Sequence, residues 1–175
     1  MSYFGPVARA VALAGLVLSA GLTAAPAAAA PEDVALLQSY IGDWRGRGTL
    51  SGASDESVVC RLSLTPGNNE KVNYAGRCTL AGKVLSINGT LAYVEASRQF
   101  EAAMTSNASF SGIAVGQKRG KGLLFNLRER EEDEEGKELT ISADIALNQD
   151  AITVGFNVVY VESGETIRAN VPFSK

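Results

Sequence analysis

The chain has 175 residues, 16 Lys+Arg against 19 Asp+Glu, a formal charge of −3 at pH 7, and no histidine. Mild acidity excludes the electrostatic footprint of a nucleic-acid or anionic-membrane binder. The missing histidine closes off histidine-assisted serine and cysteine nucleophiles and the commonest zinc sites, so no catalytic and no metal residues are assigned and the expectation is a protein that is not an enzyme.

Residues 1–29 read as a cleaved signal peptide. Arg9 supplies a weakly positive start, Val11 to Leu22 is uncharged and apolar, and Ala24 to Ala30 offers small side chains to a peptidase. Pro31 disfavours a cut directly before it, which places cleavage after Ala29, with Ala27 as the other member of the small-residue pair. The apolar run is about twelve residues, short of the roughly twenty that a membrane-spanning helix needs. Residues 30–175 then form one domain in the periplasm or outside the cell, with no helical membrane span after cleavage.

Within that domain the period of the apolar residues changes once. Glu32 to Ile41 places Val34, Leu37 and Ile41 at helical spacing, with Gly42 as the stop. From Trp44 onward the period is two. About ten strands are expected, near 45–53, 57–65, 71–80, 84–94, 98–105, 110–117, 121–130, 138–147, 151–161 and 165–174, separated by short turns. Leu139, Ile141, Ala143, Ile145 and Leu147 share one face, as do Ile152, Val154, Phe156, Val158 and Tyr160, then Ile167, Ala169, Val171 and Phe173. Short turns make sequence neighbours spatial neighbours, so the fold class is all-β: an antiparallel up-and-down barrel of eight to ten strands with a short N-terminal helix.

Cys60 and Cys78 test the register. Thr65 to Asn69 (TPGNN) is a strong turn signal, and a hairpin centred near residue 69 sets Cys60 against Cys78 and Leu64 against Tyr74. Both cysteines fall on the apolar parity. In an exported chain such a pair is read as a disulfide, closing a loop of about twenty residues and contributing roughly 3 kcal/mol.

Ile41 to Gly48 (IGDWRGRG) resembles the G-x-W opening of calycin barrels, the group of lipocalins, fatty-acid-binding proteins and nitrobindins, and is most similar to the nitrobindin form, helix followed by G-x-W-x-G-x-G. The resemblance implies that Gly42 and Trp44 close one end of the barrel, with the tryptophan packed under a basic residue of a late strand, for which Arg168 is the candidate. It also implies a small apolar ligand. Nitrobindins hold haem through a histidine, which this sequence lacks, so no haem or other cofactor is expected. Tyr160, Tyr93, Tyr74 and Met104 are the side chains by which haem would have to be held, and each is also a core residue at strand parity.

The candidate ligand lining is Tyr74, Tyr93, Phe100, Met104, Phe125, Phe156 and Tyr160, with Gly76, Gly89, Gly112 and Gly116 leaving room. Asp144 and Glu101 sit on the polar parity as solvated carboxylates. Glu129 to Glu135 (EREEDEE) reads as a solvated hairpin tip, lacking the ligand spacing and central glycine of a calcium loop. Three functions remain open: a barrel that binds an apolar or amphipathic small molecule, a filled barrel with a structural or interaction role, and a small outer-membrane barrel.

Overall fold

The computed structural model describes residues 31–80, 82–108, 111–133 and 135–175; the expected signal peptide, Ala81, Ser109, Phe110 and Glu134 lie outside the described residues. One helix, α1 (Pro31–Gln38), precedes ten strands: β1 (Gly42–Ser51), β2 (Glu56–Pro66), β3 (Val72–Leu80), β4 (Lys83–Val94), β5 (Gln99–Ser106), β6 (Ser111–Arg119), β7 (Gly122–Glu132), β8 (Glu138–Asn148), β9 (Ala151–Tyr160) and β10 (Thr166–Ser174). Each strand pairs antiparallel with its sequence neighbours, and β10 returns to β1, so the barrel closes without a free edge.

The period-two pattern fixes which face is inside. On β8 and β9 the apolar sets from Leu139 to Leu147 and from Ile152 to Tyr160 pair with one another on the inner face. Ser142, Asp144 and Asn157 take the alternate positions. Inside, Cys60 is the register partner of Cys78 and the two form a disulfide, while Leu64 faces Tyr74 as the hairpin turn predicts.

α1 is shorter than the sequence suggests. It ends at Gln38, and the chain then winds tightly, Tyr40 N donating to Leu37 O (3.4 Å) and Ile41 N to Gln38 O (3.1 Å). These three-residue closures satisfy carbonyls that a longer helix would bond four residues on. Gly42, at φ +143°, then turns the chain into β1, three residues earlier than expected.

α1 plugs one end of the barrel. Val34 and Leu37 are buried, and Tyr40 is fully covered, its hydroxyl donating to Leu147 O at the end of β8 (3.1 Å). Trp44 Nε1 donates to Tyr40 O (3.0 Å), tying the first strand to the turn that follows α1. Asp33, 6% exposed, pairs with Lys118 Nζ at the end of β6 (2.5 Å). Burial of such large apolar side chains contributes about 1.5–3 kcal/mol each, which anchors the plug.

Candidate functional site

The two ends of the barrel differ in how they are filled. Around the plug, Trp44, Phe125, Leu123, Ile152 and Val72 are covered almost completely. Toward the other end, bounded by the β1–β2, β3–β4, β5–β6, β7–β8 and β9–β10 turns, many inward side chains stay half-buried: Leu50, Leu80, Ile87, Phe156, Val158, Tyr160 and Ile167. The α1 plug is the single helix among the described residues, and it does not reach this end. Val58, Cys60, Leu139 and Ile141 are buried at this end, so its largely apolar inner surface is exposed in part.

The seven candidate lining residues divide between these regions. Phe156 and Tyr160 lie in the open half. Phe100 and Phe125 are buried at the plugged end, and Tyr93 stacks edge-on against Phe100 there (ring centroids 5.1 Å apart, 60° between planes). Met104 is 8% exposed and belongs to the packed core. Tyr74 sits between the halves, its hydroxyl donating to Ala103 O (3.0 Å) and burial pushing its ionisation well above the ordinary 10.0.

Two of the glycines read as leaving room instead seat aromatic rings. A Cβ on Gly116 would meet the Phe125 ring at 2.5 Å, and one on Gly89 would meet Tyr74 Oη at 2.5 Å. Each ring thus occupies space that a side chain across the strand would take, which fills the plugged half at Gly116 and the middle of the barrel at Gly89 rather than hollowing them.

The acidic run also falls differently from expectation. Glu129 to Glu132 belong to β7, and of the described residues only Asp133, Glu135, Gly136 and Lys137 lie beyond it before β8, where Asp133 Oδ1 accepts from Glu135 N and Lys137 N (2.9 Å each). The inward parity of Leu123, Phe125 and Leu127 continues to Glu129 and Glu131, whose register partners are the inward Ile141 and Leu139. Two carboxylates therefore stand at the rim of the open half, both half-buried and neither with a hydrogen-bond or ion-pair partner among the described residues. The signal for this was the parity of β7, obscured by the charge run laid over it.

Trp44 is at the closed end, as the G-x-W opening implies. The cation over its ring is Lys175, with Nζ 4.8 Å from the ring centroid. Arg168 instead occupies the outward parity of β10, where its Nε donates to Asn157 Oδ1 (3.1 Å). Among the described residues, no group of three or more His, Cys, Asp or Glu side chains is placed to hold a metal ion, and no helix is long and apolar enough to cross a membrane.

No protein-family model and no curated protein matches the chain. Among solved structures, Rv2717c from M. tuberculosis superimposes with a TM-score of 0.64 at 15% identity, over 81% of this chain and 96% of that one. The S-type phycobiliprotein lyase CPES from Guillardia theta superimposes with a TM-score of 0.52 at 7% identity, over 79% of this chain and 89% of that one. The fold they share is a closed antiparallel β-barrel, of ten strands in this chain. At these identities the likeness is one of architecture, so the function of the barrel has to be argued from its own residues.

Proposed function

We propose that this barrel is an exported, periplasmic or secreted protein that binds a small amphipathic molecule through its open end and carries out no chemistry on it. The observation behind this reading is the contrast between the ends: side chains are packed tight against α1, while at the other end Leu50, Leu80, Ile87, Phe156, Val158, Tyr160 and Ile167 stay half-exposed around the buried Val58, Leu139 and Ile141. A concave apolar surface with a few convergent polar groups is the usual form of a small-molecule site. The apolar body would lie against Phe156, Val158 and Tyr160. Glu129 and Glu131 at the rim would accept hydrogen bonds from a hydroxyl or ammonium head.

The nitrobindin likeness is carried by the helix, the G-x-W opening and the cation over Trp44, and its haem has no histidine to bind here. The Cys60–Cys78 disulfide supports an oxidising compartment. Arg45, Arg47, Arg61, Arg77, Arg128 and Arg168, all outward and exposed, count against a membrane-spanning barrel, in which each such charge at the midplane costs about 2–4 kcal/mol.

The test is native mass spectrometry of protein purified from its host, followed by titration with the neutral fluorophore N-phenyl-1-naphthylamine. A co-purifying small molecule, or saturable one-to-one binding lost in Val158→Arg, is the expected result. Non-saturable binding by protein that carries nothing would mean a filled barrel with a structural role.

A further inference from the structure

We infer a second site, on the outer wall of the barrel, for a compact, multiply charged oxyanion of the phosphate-ester class. Three arginines stand in cross-strand register there: Arg45 on β1 opposes Arg61 on β2, and Arg61 opposes Arg77 on β3. Adjacent strands lie about 4.8 Å apart, so the row brings three guanidinium side chains onto one short stretch of surface. Ser174 on β10 is the partner of Arg45, and Ser86 on β4 is the partner of Arg77, so hydroxyls flank the row at both ends. Arg47 stands two residues along β1 from Arg45 on the same face and lines, with Arg45, Val59, Arg61 and Pro172, a cleft beside the row.

Like charges placed directly opposite each other on a sheet destabilise it. Acids outnumber bases in this chain, yet none is used here. Among the described residues the ion pairs are made by Lys118 and Lys137, and none of Arg45, Arg47, Arg61 or Arg77 has a hydrogen-bond or ion-pair partner. The nearest outward carboxylate on β1, Asp43, accepts instead from Ser63 Oγ (2.7 Å). A bound oxyanion supplies the missing counter-charge, and guanidinium groups meet phosphate oxygens in paired, charge-assisted hydrogen bonds.

The occupant is a small anion rather than an anionic bilayer. A chain of formal charge −3 is repelled by an anionic surface at long range, whereas a compact anion enters the row and takes the short-range contacts alone.

Calorimetric titration with inorganic tripolyphosphate tests the site. Saturable binding is expected, weakened about tenfold or more by Arg61→Gln, in line with the loss of one charge-assisted pair. The charge-matched Arg130→Gln, on the outer face of β7, should bind like the parent. Relief of repulsion should leave the melting temperature of Arg61→Gln without ligand equal to or above the parent's, separating a binding role from a structural one. Three results would each overturn the inference: no saturable heat with the parent protein, equal loss in the Arg61 and Arg130 variants, or retention on phosphatidylglycerol vesicles without tripolyphosphate binding.

Discussion

Lys175 Nζ sits 4.8 Å from the centre of the Trp44 ring, so the last strand's end covers the first strand's tryptophan at the closed end. Its side chain also lies 3.2 Å, at Cε, from where a Cβ on Gly42 would be. The two ends of the barrel wall are thus clasped beside the seam between β1 and β10. An exposed cation over an indole contributes about 0.5–1 kcal/mol. Lys175→Ala is expected to lower stability by that amount and to shift the emission of Trp44, the only tryptophan in the sequence. Arg168→Ala, acting at a different place on β10, should leave the emission unchanged. Denaturant titration followed by fluorescence checks both.

Barrel, register and disulfide were legible in the sequence because they rest on local rules. The TPGNN turn placed Cys60 opposite Cys78, and period-two alternation on β8 to β10 separated inner from outer faces. The partner of Trp44 was not legible, because Arg168 and Lys175 are both basic and their difference in parity and height appears only once β10 closes on β1. The rim carboxylates were hidden because a charge run suggests solvent, although the parity of Leu123, Phe125 and Leu127 already pointed Glu129 and Glu131 inward. The filling of the plugged half was out of reach too. Nothing local to Gly116 shows that the ring of Phe125, its register partner, folds across it.

The Cys60–Cys78 bridge closes the β2–β3 hairpin with the two cysteines 18 positions apart. Restricting a loop of that size in the unfolded chain contributes roughly 3 kcal/mol. A Cys60→Ala/Cys78→Ala double variant should keep the β-sheet circular dichroism of the parent but unfold at lower denaturant by about that free energy. Reducing agent should destabilise the parent and leave the double variant unmoved. Equal sensitivity of the two proteins would contradict a bridge in the folded chain.

Tyr74 gives the barrel an alkaline limit. Burial raises its ionisation above the ordinary 10.0, and its hydroxyl donates to Ala103 O. The unfolded chain therefore loses this proton at lower pH than the folded barrel. Stability from the neutral phenol is fully present below pH 10 and falls as pH rises from there toward the higher folded value. Tyr40 and Tyr93 are shifted in the same direction, chiefly by desolvation, so they add to the fall. Tyr74→Phe should cost about 1 kcal/mol near neutrality through the lost hydrogen bond and should flatten part of the decline above pH 10. Melting temperatures from pH 7 to 11 for the two proteins measure both effects.

On the proposed binding function, selectivity at the open end would come from Glu129 and Glu131. Both are on the inner parity of β7, beside Ile141 and Leu139, with no partner among the described residues. If an amphipathic ligand lies with its apolar body against Phe156 and Val158, its head meets these carboxylates. Matched ligands that differ only in the head should then separate: an alkyl ammonium binds more tightly than the alkyl sulfate of equal chain length. A Glu129→Gln/Glu131→Gln variant should lose about tenfold of the ammonium affinity, the scale of one hydrogen bond to a charged group. It should bind the neutral N-phenyl-1-naphthylamine as the parent does, because the apolar wall is untouched. Displacement titrations with the two alkyl ligands make the comparison, and identical affinities for both heads in parent and variant would remove the carboxylates from the site.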